Sequence, residues 1–250
     1  MTYAPCALFV AAVLKDEFTS GVGLSALEVG SCDPQGGFRA LTDLHGGFSE
    51  YIGVDLREGP GIDLVCEAER LVEQFGTSRF DLVIAAELLE HVRDWRAVVS
   101  NFKNVCKPGG VILVSTRSRG YPYHASPYDF WRYEPSDIAR LFADCDVVRL
   151  EPDEKNPGVI AAFRRPPDFI EADLSEVELF SMISRRRETE VPVEAMKRLS
   201  FALVLLAAKL RQLGAWFSTG SKKDLAATIR LQVNELANVM RMLAGRSPRV

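Results

Sequence analysis

LEVGSCDPQGG, residues 27–37, has the form of a strand running into the first turn of an open parallel sheet. In such a sheet, ligands sit outside the carboxyl ends of the strands where strand order reverses, and this turn usually supplies the contact. A dinucleotide fingerprint needs G-x-G-x-x-G, so that backbone and a helix amino end can meet a pyrophosphate. Here Gly30 is followed by Ser31, Cys32, Asp33 and Pro34 before Gly36 and Gly37, and Glu28 brings an anion to the turn. Both features disfavour a phosphate and favour a cationic ligand.

Outward from this turn, short apolar runs alternate with helical patterns: SALEVG, YIGVDL, IDLVC, FDLVIAA, GVILVST, DVVRL and GVIAAF. Runs apolar on both faces fit strands covered by helices on each side. The expected fold is α/β, a Rossmann-like seven-stranded, mostly parallel sheet with helices on both faces. Between FDLVIAA and GVILVST, Leu89, Val92, Trp95, Val98, Val99, Phe102 and Val105 recur mostly at spacings of three and four, which predicts a helix stopping at Lys107, Pro108 and Gly109. The apolar run 5–14 lacks a preceding lysine or arginine and predicts a covering helix rather than a secretory signal.

At 250 residues and a net charge of -4, the chain can bury one sizeable core and has no overall basic excess for nucleic acid. Five cysteines without a C-x-x-C pair argue against a disulfide framework or a zinc site. No apolar run reaches the roughly twenty residues of a bilayer span, so a cytoplasmic protein is expected. Charge divides unevenly, with residues 191–250 carrying +7 and the rest -11. In that tail Leu225, Ile229, Val233, Leu236, Met240 and Leu243 predict a helix with an apolar stripe and a basic face. The division expected is residues 1–166 as the catalytic domain and 167–250 as a helical extension without strands. The extension would pack on its own domain, pair with a second copy, or rest on an anionic membrane face.

S-adenosylmethionine carries an ammonium and a sulfonium and no phosphate. Three acids follow three successive strands: Glu28 for the amino group, Asp55 for the ribose hydroxyls and Glu67 for the adenine amino group. The chain resembles the class I S-adenosylmethionine-dependent methyltransferases over roughly residues 20–165. The resemblance rests on LEVGS, GVDL, VCEAERL, FDLVIAAELLEHV and KPGGVILVST, and departs from it in having Cys32 and Pro34 at the family's later two glycine positions. It implies methyl transfer by in-line displacement, with Glu28, Gly30, Ser31, Asp55, Leu56, Glu67, Ala68 and Glu87 around the cofactor. For a hydroxyl acceptor, His124 and His91, with Asp129, are the candidate catalytic groups.

The tract GYPYHASPYDFWRYEPSDIARLF, residues 120–142, crowds aromatic rings on the carboxyl side of the fifth strand. It resembles the corresponding loop of methyltransferases from bacterial sugar and glycan pathways. Tyr121, Tyr123, Tyr128 and Arg132 are thus the expected acceptor contacts, with a sugar or other small hydroxylated molecule as acceptor, while Phe130 and Trp131 anchor the loop. Glu87, Glu90, His91 and His124 together are similar to the ligand set of metal-dependent methyltransferases acting on the terminal 2′-hydroxyl of small RNAs. That is the alternative, since no metal is expected in the main reading. A non-catalytic scaffold that keeps the fold is the rival from another class, and a dinucleotide oxidoreductase stands third.

Overall fold

In the computed structural model, residues 4–19, 22–32, 37–124, 128–196, 201 and 203–208 are described. Helix α1 (Ala4–Glu17) leads into β1 (Leu24–Val29), α2 (Arg39–His45), β2 (Phe48–Asp55), β3 (Leu64–Val65) and α3 (Leu71–Phe75). These are followed by β4 (Phe80–Ala86), α4 (Trp95–Val105), β5 (Cys106–Arg117), β6 (Trp131–Arg132), α5 (Pro135–Leu141), β7 (Asp146–Pro152) and β8 (Gly158–Arg164). Seven strands form one sheet in the order β3-β2-β1-β4-β5-β8-β7. All pairs from β3 to β5 are parallel, and β8 is antiparallel to both neighbours. All seven expected runs are strands of this sheet. Strand order reverses between β1 and β4.

Alternation along each central strand divides its side chains between two covering layers. Leu27, Val29, Val83, Ala85, Ile112 and Val114 join the α4 residues Val98, Val99 and Phe102 in one core. Ala26, Leu82, Ile84, Val111 and Leu113 pack on the other face against Cys6, Phe9, Val10 and Val13 of α1. At the amino ends of the strands, Asp81 joins three of them: its Oδ2 accepts from the Ser25 N–H at 2.8 Å, the Ser25 hydroxyl at 2.9 Å and Lys107 Nζ at 2.8 Å. Burial would raise this carboxyl, but the Lys107 ammonium and the Ser25 donors outweigh it and hold it below the usual range. A depressed folded-state value gives stability that is present above the unfolded value near 3.9 and lost as pH falls through the folded one. Asp81→Asn is expected to cost about 1 kcal/mol at neutral pH in urea titrations, with the difference from wild type closing as pH falls through the folded-state value.

Two expectations need correction. Helix α4 starts at Trp95, capped by Asp94, whose side chain accepts from the Ala97 N–H at 3.1 Å. Residues 87–94 form turns, so Glu90 and His91 lie in a tight connection and not in a helix. Strands also continue past residue 166, and no helix occurs over residues 167–192. β9 (Leu179–Ser181) and β10 (Arg187–Glu188) pair with β6 in a second, antiparallel sheet, and α6 (Val193–Met196) follows. This segment shares the α4-side core through Leu174, Val177, Leu179 and Met182. Arg96 fixes it to the first turn of α4 by donating to the carbonyls of Leu174 at 2.8 Å, Ser175 at 3.1 Å and Val177 at 2.7 Å.

Residues 203–208 are helical, with Leu205 and Ala208 buried. The amphipathic helix expected over 225–243, and with it the dimer and membrane expectations, lies outside the described residues. Among the described residues no helix is long and apolar enough to cross a membrane, and all five cysteines are free.

Candidate active site

The adjacency of β1, β2 and β3 sets Glu28, Asp55 and Glu67 at the carboxyl ends of three neighbouring strands. The turn after β1 is held down on β2: the N–H groups of Gly30 and Ser31 both donate to the Val54 carbonyl, at 2.9 and 3.0 Å. The buried Ser31 hydroxyl reaches the carbonyls of Val54 and Gly61, and the Cys32 N–H approaches Asp55 Oδ2 at 3.4 Å. Gly30 has φ +79°, and a β-carbon there would come within 3.2 Å of Leu88 Cδ1 in the turn after β4. Only glycine satisfies both conditions without strain.

The two glycines missing from this turn have counterparts in the facing loop after β2. A β-carbon on Gly59 would sit 3.0 Å from Cys32 Sγ, and one on Gly61 3.0 Å from the Ser31 carbonyl oxygen. A β-carbon on Gly53 would lie 2.3 Å from the Gly61 carbonyl oxygen and 2.7 Å from Ser31 Oγ. The close approach is therefore made from the opposite side. Gly53→Ala is expected to push this loop off the turn, costing about 1 to 3 kcal/mol of stability. It should also weaken S-adenosylhomocysteine binding in calorimetry about tenfold or more.

Glu28, expected at the ligand's amino group, has a partner within the fold. Its side chain is buried, accepts a hydrogen bond from the Tyr51 hydroxyl, and fills the space that a β-carbon on Gly37 would need. It supports the turn from beneath. Glu67 is exposed at the start of a short 3-10 helix (Ala68–Arg70), Ala68 is buried there, and Leu56 is exposed.

On the other side of the reversal point, Glu87 follows β4 at φ +54°. Its carboxylate accepts from the Ser115 hydroxyl at 2.9 Å and pairs with Arg117. Burial, reinforced by the charge of Glu90, pushes its carboxyl up to about 7. Glu87 is thus bound to the end of β5 rather than presented to a cofactor.

Glu90, His91 and His124 converge. Glu90 is fully buried, and its Oε2 accepts from the Thr116 hydroxyl at 2.8 Å. His91 Nδ1 lies 2.7 Å from the Tyr128 carbonyl oxygen and must donate to it, since a carbonyl only accepts. His124 Nδ1 lies 2.9 Å from Asp129 Oδ2. Asp129 is itself buried and held by Arg132, with Nη2 2.6 Å from Oδ2. Burial alone would raise the Asp129 carboxyl, but the Arg132 and His124 hydrogen bonds hold it far below the usual range.

With their Nδ1 atoms engaged by Tyr128 and Asp129, the two rings turn Nε2 toward Glu90 Oε1, at 4.0 Å from His91 and 3.7 Å from His124. That oxygen is buried and has no hydrogen-bond partner among the described residues. Burial raises the Glu90 carboxyl and lowers the His91 imidazole, each favouring its neutral form. With Oε2 taken up by Thr116, the proton of a neutral Glu90 belongs on Oε1, between the two Nε2 atoms, so the three groups form one proton-sharing cluster.

The loop from Ser118 to Glu134 is fastened to the same turn. Phe130 N–H donates to the Glu90 carbonyl at 2.7 Å, the Trp131 indole to Val92 at 3.1 Å, and the Tyr133 hydroxyl to Leu89 at 2.9 Å. Phe130 and Trp131 are buried anchors, as expected. The expectation for Arg132 is corrected: it is fully buried on Asp129 and on the carbonyls of Tyr121 and Pro122, so it shapes the loop and does not meet an acceptor. Tyr123 is nearly buried, Tyr128 is half-buried against Phe130, and the Tyr121 ring lies 5.0 Å from that of His124. Sequence reasoning missed Ser115, Thr116 and Arg117, although their position at the carboxyl end of β5 is itself a signal.

The methyltransferase domain family matches residues 21–145. The ubiquinone biosynthesis O-methyltransferase of Idiomarina loihiensis is 45% identical over 65 residues, 26% of each chain. The protein of the same name from Parvibaculum lavamentivorans is 31% identical over 68 residues, 27% of this chain and 26% of its own. The chain thus matches only about a quarter of the length of these curated relatives. Among solved structures, the 1,6-didemethyltoxoflavin-N1-methyltransferase of Burkholderia thailandensis, with bound 1,6-didemethyltoxoflavin and S-adenosylhomocysteine, superposes with a TM-score of 0.51. It is 16% identical and covers 64% of this chain and 78% of its own, a likeness of fold. With the turn after β1, the reversal between β1 and β4 and a family match across half its length, the chain belongs to the methyltransferase domain family, in its class I Rossmann-like, S-adenosylmethionine-dependent form.

Proposed function

We propose that the protein is a cytoplasmic S-adenosylmethionine-dependent O-methyltransferase acting on a small hydroxylated molecule, of which a sugar or glycan precursor is one class. The observation that carries this reading is the convergence of the buried Glu90 Oε1 with the Nε2 atoms of His91 and His124. His124 is the most exposed member of this cluster, and its Nε2 is the atom that an acceptor hydroxyl can reach and donate to. As the hydroxyl oxygen takes the methyl group, its proton passes to His124, whose other nitrogen is anchored by Asp129. The sulfonium is already activated, so placing the two reactants together accounts for most of the rate. Gly30, Ser31 and Asp55 hold the cofactor, Glu28 supports the turn, and Glu67 reaches the adenine end. The O-methyltransferase names of the curated relatives agree with a hydroxyl acceptor.

Incubation with radiolabelled S-adenosylmethionine and a panel of sugars, sugar phosphates and phenols tests the reading by formation of S-adenosylhomocysteine. No turnover with tight S-adenosylhomocysteine binding would favour the scaffold instead.

The same convergence favours a second reading, in which Glu90, His91 and His124 bind a divalent cation. Their ligand atoms lie within 4.8 Å of one another, and each ligand is held from behind by Thr116, Tyr128 or Asp129. A bound cation would polarise the acceptor hydroxyl. Glu87, engaged by Arg117 and Ser115, drops out of the ligand set expected from sequence. Dialysis against a chelator, followed by metal analysis and readdition of magnesium, manganese or zinc, separates the two readings: turnover unaffected by chelation leaves the base.

A further inference from the structure

We infer that the cavity beside His124 seats an anionic group of the acceptor, a phosphate or a carboxylate, on Arg119 and Arg185. The inference deepens the O-methyltransferase reading and rests on it for the identity of the bound molecule as acceptor.

The cavity has a volume of about 760 Å³ and lies between the start of the loop after β5, the β9–β10 hairpin and the helical residues 204 and 207. That volume is in the range of pockets that enclose a whole small ligand. Tyr121 links it to the acceptor cluster, because its ring lines the cavity and stands 5.0 Å from the His124 ring. Its walls supply aromatic surface from Tyr121, Tyr123 and Phe180, and positive charge from Arg119 and Arg185.

Most arginines of the catalytic domain are engaged with carboxylates or carbonyls, including Arg117 with Glu87 and Arg132 with Asp129. Among the described residues, neither Arg119 nor Arg185 has a carboxylate partner. Glu134, the acid on the cavity wall, is committed: its side chain caps α5 and accepts from the Arg119 backbone N–H at 3.1 Å. The Arg119 guanidinium and the Arg185 backbone are nonetheless positioned. Arg119 lies over the Phe180 ring at 4.7 Å. Arg185 projects from the hairpin at φ +61°, a conformation a non-glycine residue adopts only when its surroundings impose it. Here Ser181 imposes it, its carbonyl accepting from the Arg185 N–H at 3.0 Å and its hydroxyl from the Ile183 N–H at 3.2 Å. Two guanidiniums on a wall that also carries aromatic rings, one of them laid over Phe180, suit a ring-bearing molecule with an oxyanion, since the planar fork pairs with phosphate or carboxylate oxygens.

The hairpin and residues 204 and 207 fall outside the stretch 21–145 matched by the family. Arg119 thus comes from the shared domain and Arg185 from the part of the chain beyond it, so the proposed anion site spans both.

Three probes of one ring size test the inference on the full-length protein saturated with S-adenosylhomocysteine: phenyl phosphate, benzoate and phenol, titrated by ligand-observed NMR. At least one anionic probe is expected to bind about tenfold or more tighter than phenol. The preferred anion distinguishes a phosphate-bearing from a carboxylate-bearing acceptor. The double variant Arg119→Gln/Arg185→Gln should weaken the preferred anion about tenfold or more, with S-adenosylhomocysteine affinity unchanged. Arg140→Gln, an exposed arginine outside the cavity, serves as the charge control and should have little effect. Equal binding of phenol and both anions, full binding by the double variant, or no binding of any probe would overturn the inference. Failure of the native protein to bind S-adenosylhomocysteine would instead fall on the methyltransferase reading, and the probe series can still be read on the unliganded chain.

Discussion

His124→Ala is expected to lower methyl transfer by about 10² to 10⁴-fold while S-adenosylhomocysteine affinity stays within about twofold of wild type. The asymmetry follows from position. His124 sits after β5, on the acceptor side of the reversal point, whereas the turn after β1 and Asp55 lie across it on β1 and β2. His124 Nδ1 faces Asp129, so the ring turns Nε2 toward Glu90 Oε1, leaving that nitrogen as the one the proposed acceptor hydroxyl would meet. Asp129→Asn tests this orientation separately. An asparagine can offer an N–H where the carboxylate offered a lone pair, which favours the wrong tautomer with little change in volume. Rate should fall in this variant as well, with cofactor binding retained. A His124→Ala variant that turns over within about threefold of wild type would remove the base and leave the cation reading, or simple positioning, to explain the rate.

The parts of the sheet that carry the site were legible because burial on both faces leaves a mark in composition. FDLVIAA and GVILVST are apolar without alternation, as central parallel strands must be. β9 and β10 left no such mark. They are three and two residues long, lie in an acid-rich stretch, and are held by tertiary bonds such as Met182 N–H to the Phe130 carbonyl at 2.8 Å. The start of α4 did carry a local signal, since Asp94 is a good N-cap residue, but the apolar spacing of Leu89 and Val92 continued the helical period upstream of it. Those two side chains are buried from turns, where the same spacing serves a different backbone. The triad of Glu90, His91 and His124 was visible as residue types, while its convergence was not. It depends on a 33-residue separation closed by the contacts of the loop after β5 to the turn after β4. The glycines facing Cys32 were hidden for a similar reason, because Gly59 and Gly61 belong to another loop and meet the turn only through the pairing of β1 with β2.

Arg132→Met should destabilise the protein by about 3 to 5 kcal/mol, because it leaves the buried Asp129 carboxylate without its cation. For a chain of this size that lowers the melting temperature by roughly 10 °C. Both side chains are fully buried, and Arg132 also donates to the carbonyls of Trp131 at 2.6 Å and Pro122 at 3.1 Å, so its loss orphans several acceptors at once. An arginine that only touched an acceptor would instead affect affinity and leave the melting temperature alone. Adding Asp129→Leu to Arg132→Met removes the stranded charge, and the double variant should melt above the Arg132→Met single variant. It should not regain activity, because His124 then lacks the carboxylate that orients it. Recovery of stability without recovery of rate would assign the pair two separable roles: Arg132 neutralises Asp129, and Asp129 aims His124. Recovery of both would show that His124 needs no such aim, and would move the proton acceptor to another member of the cluster.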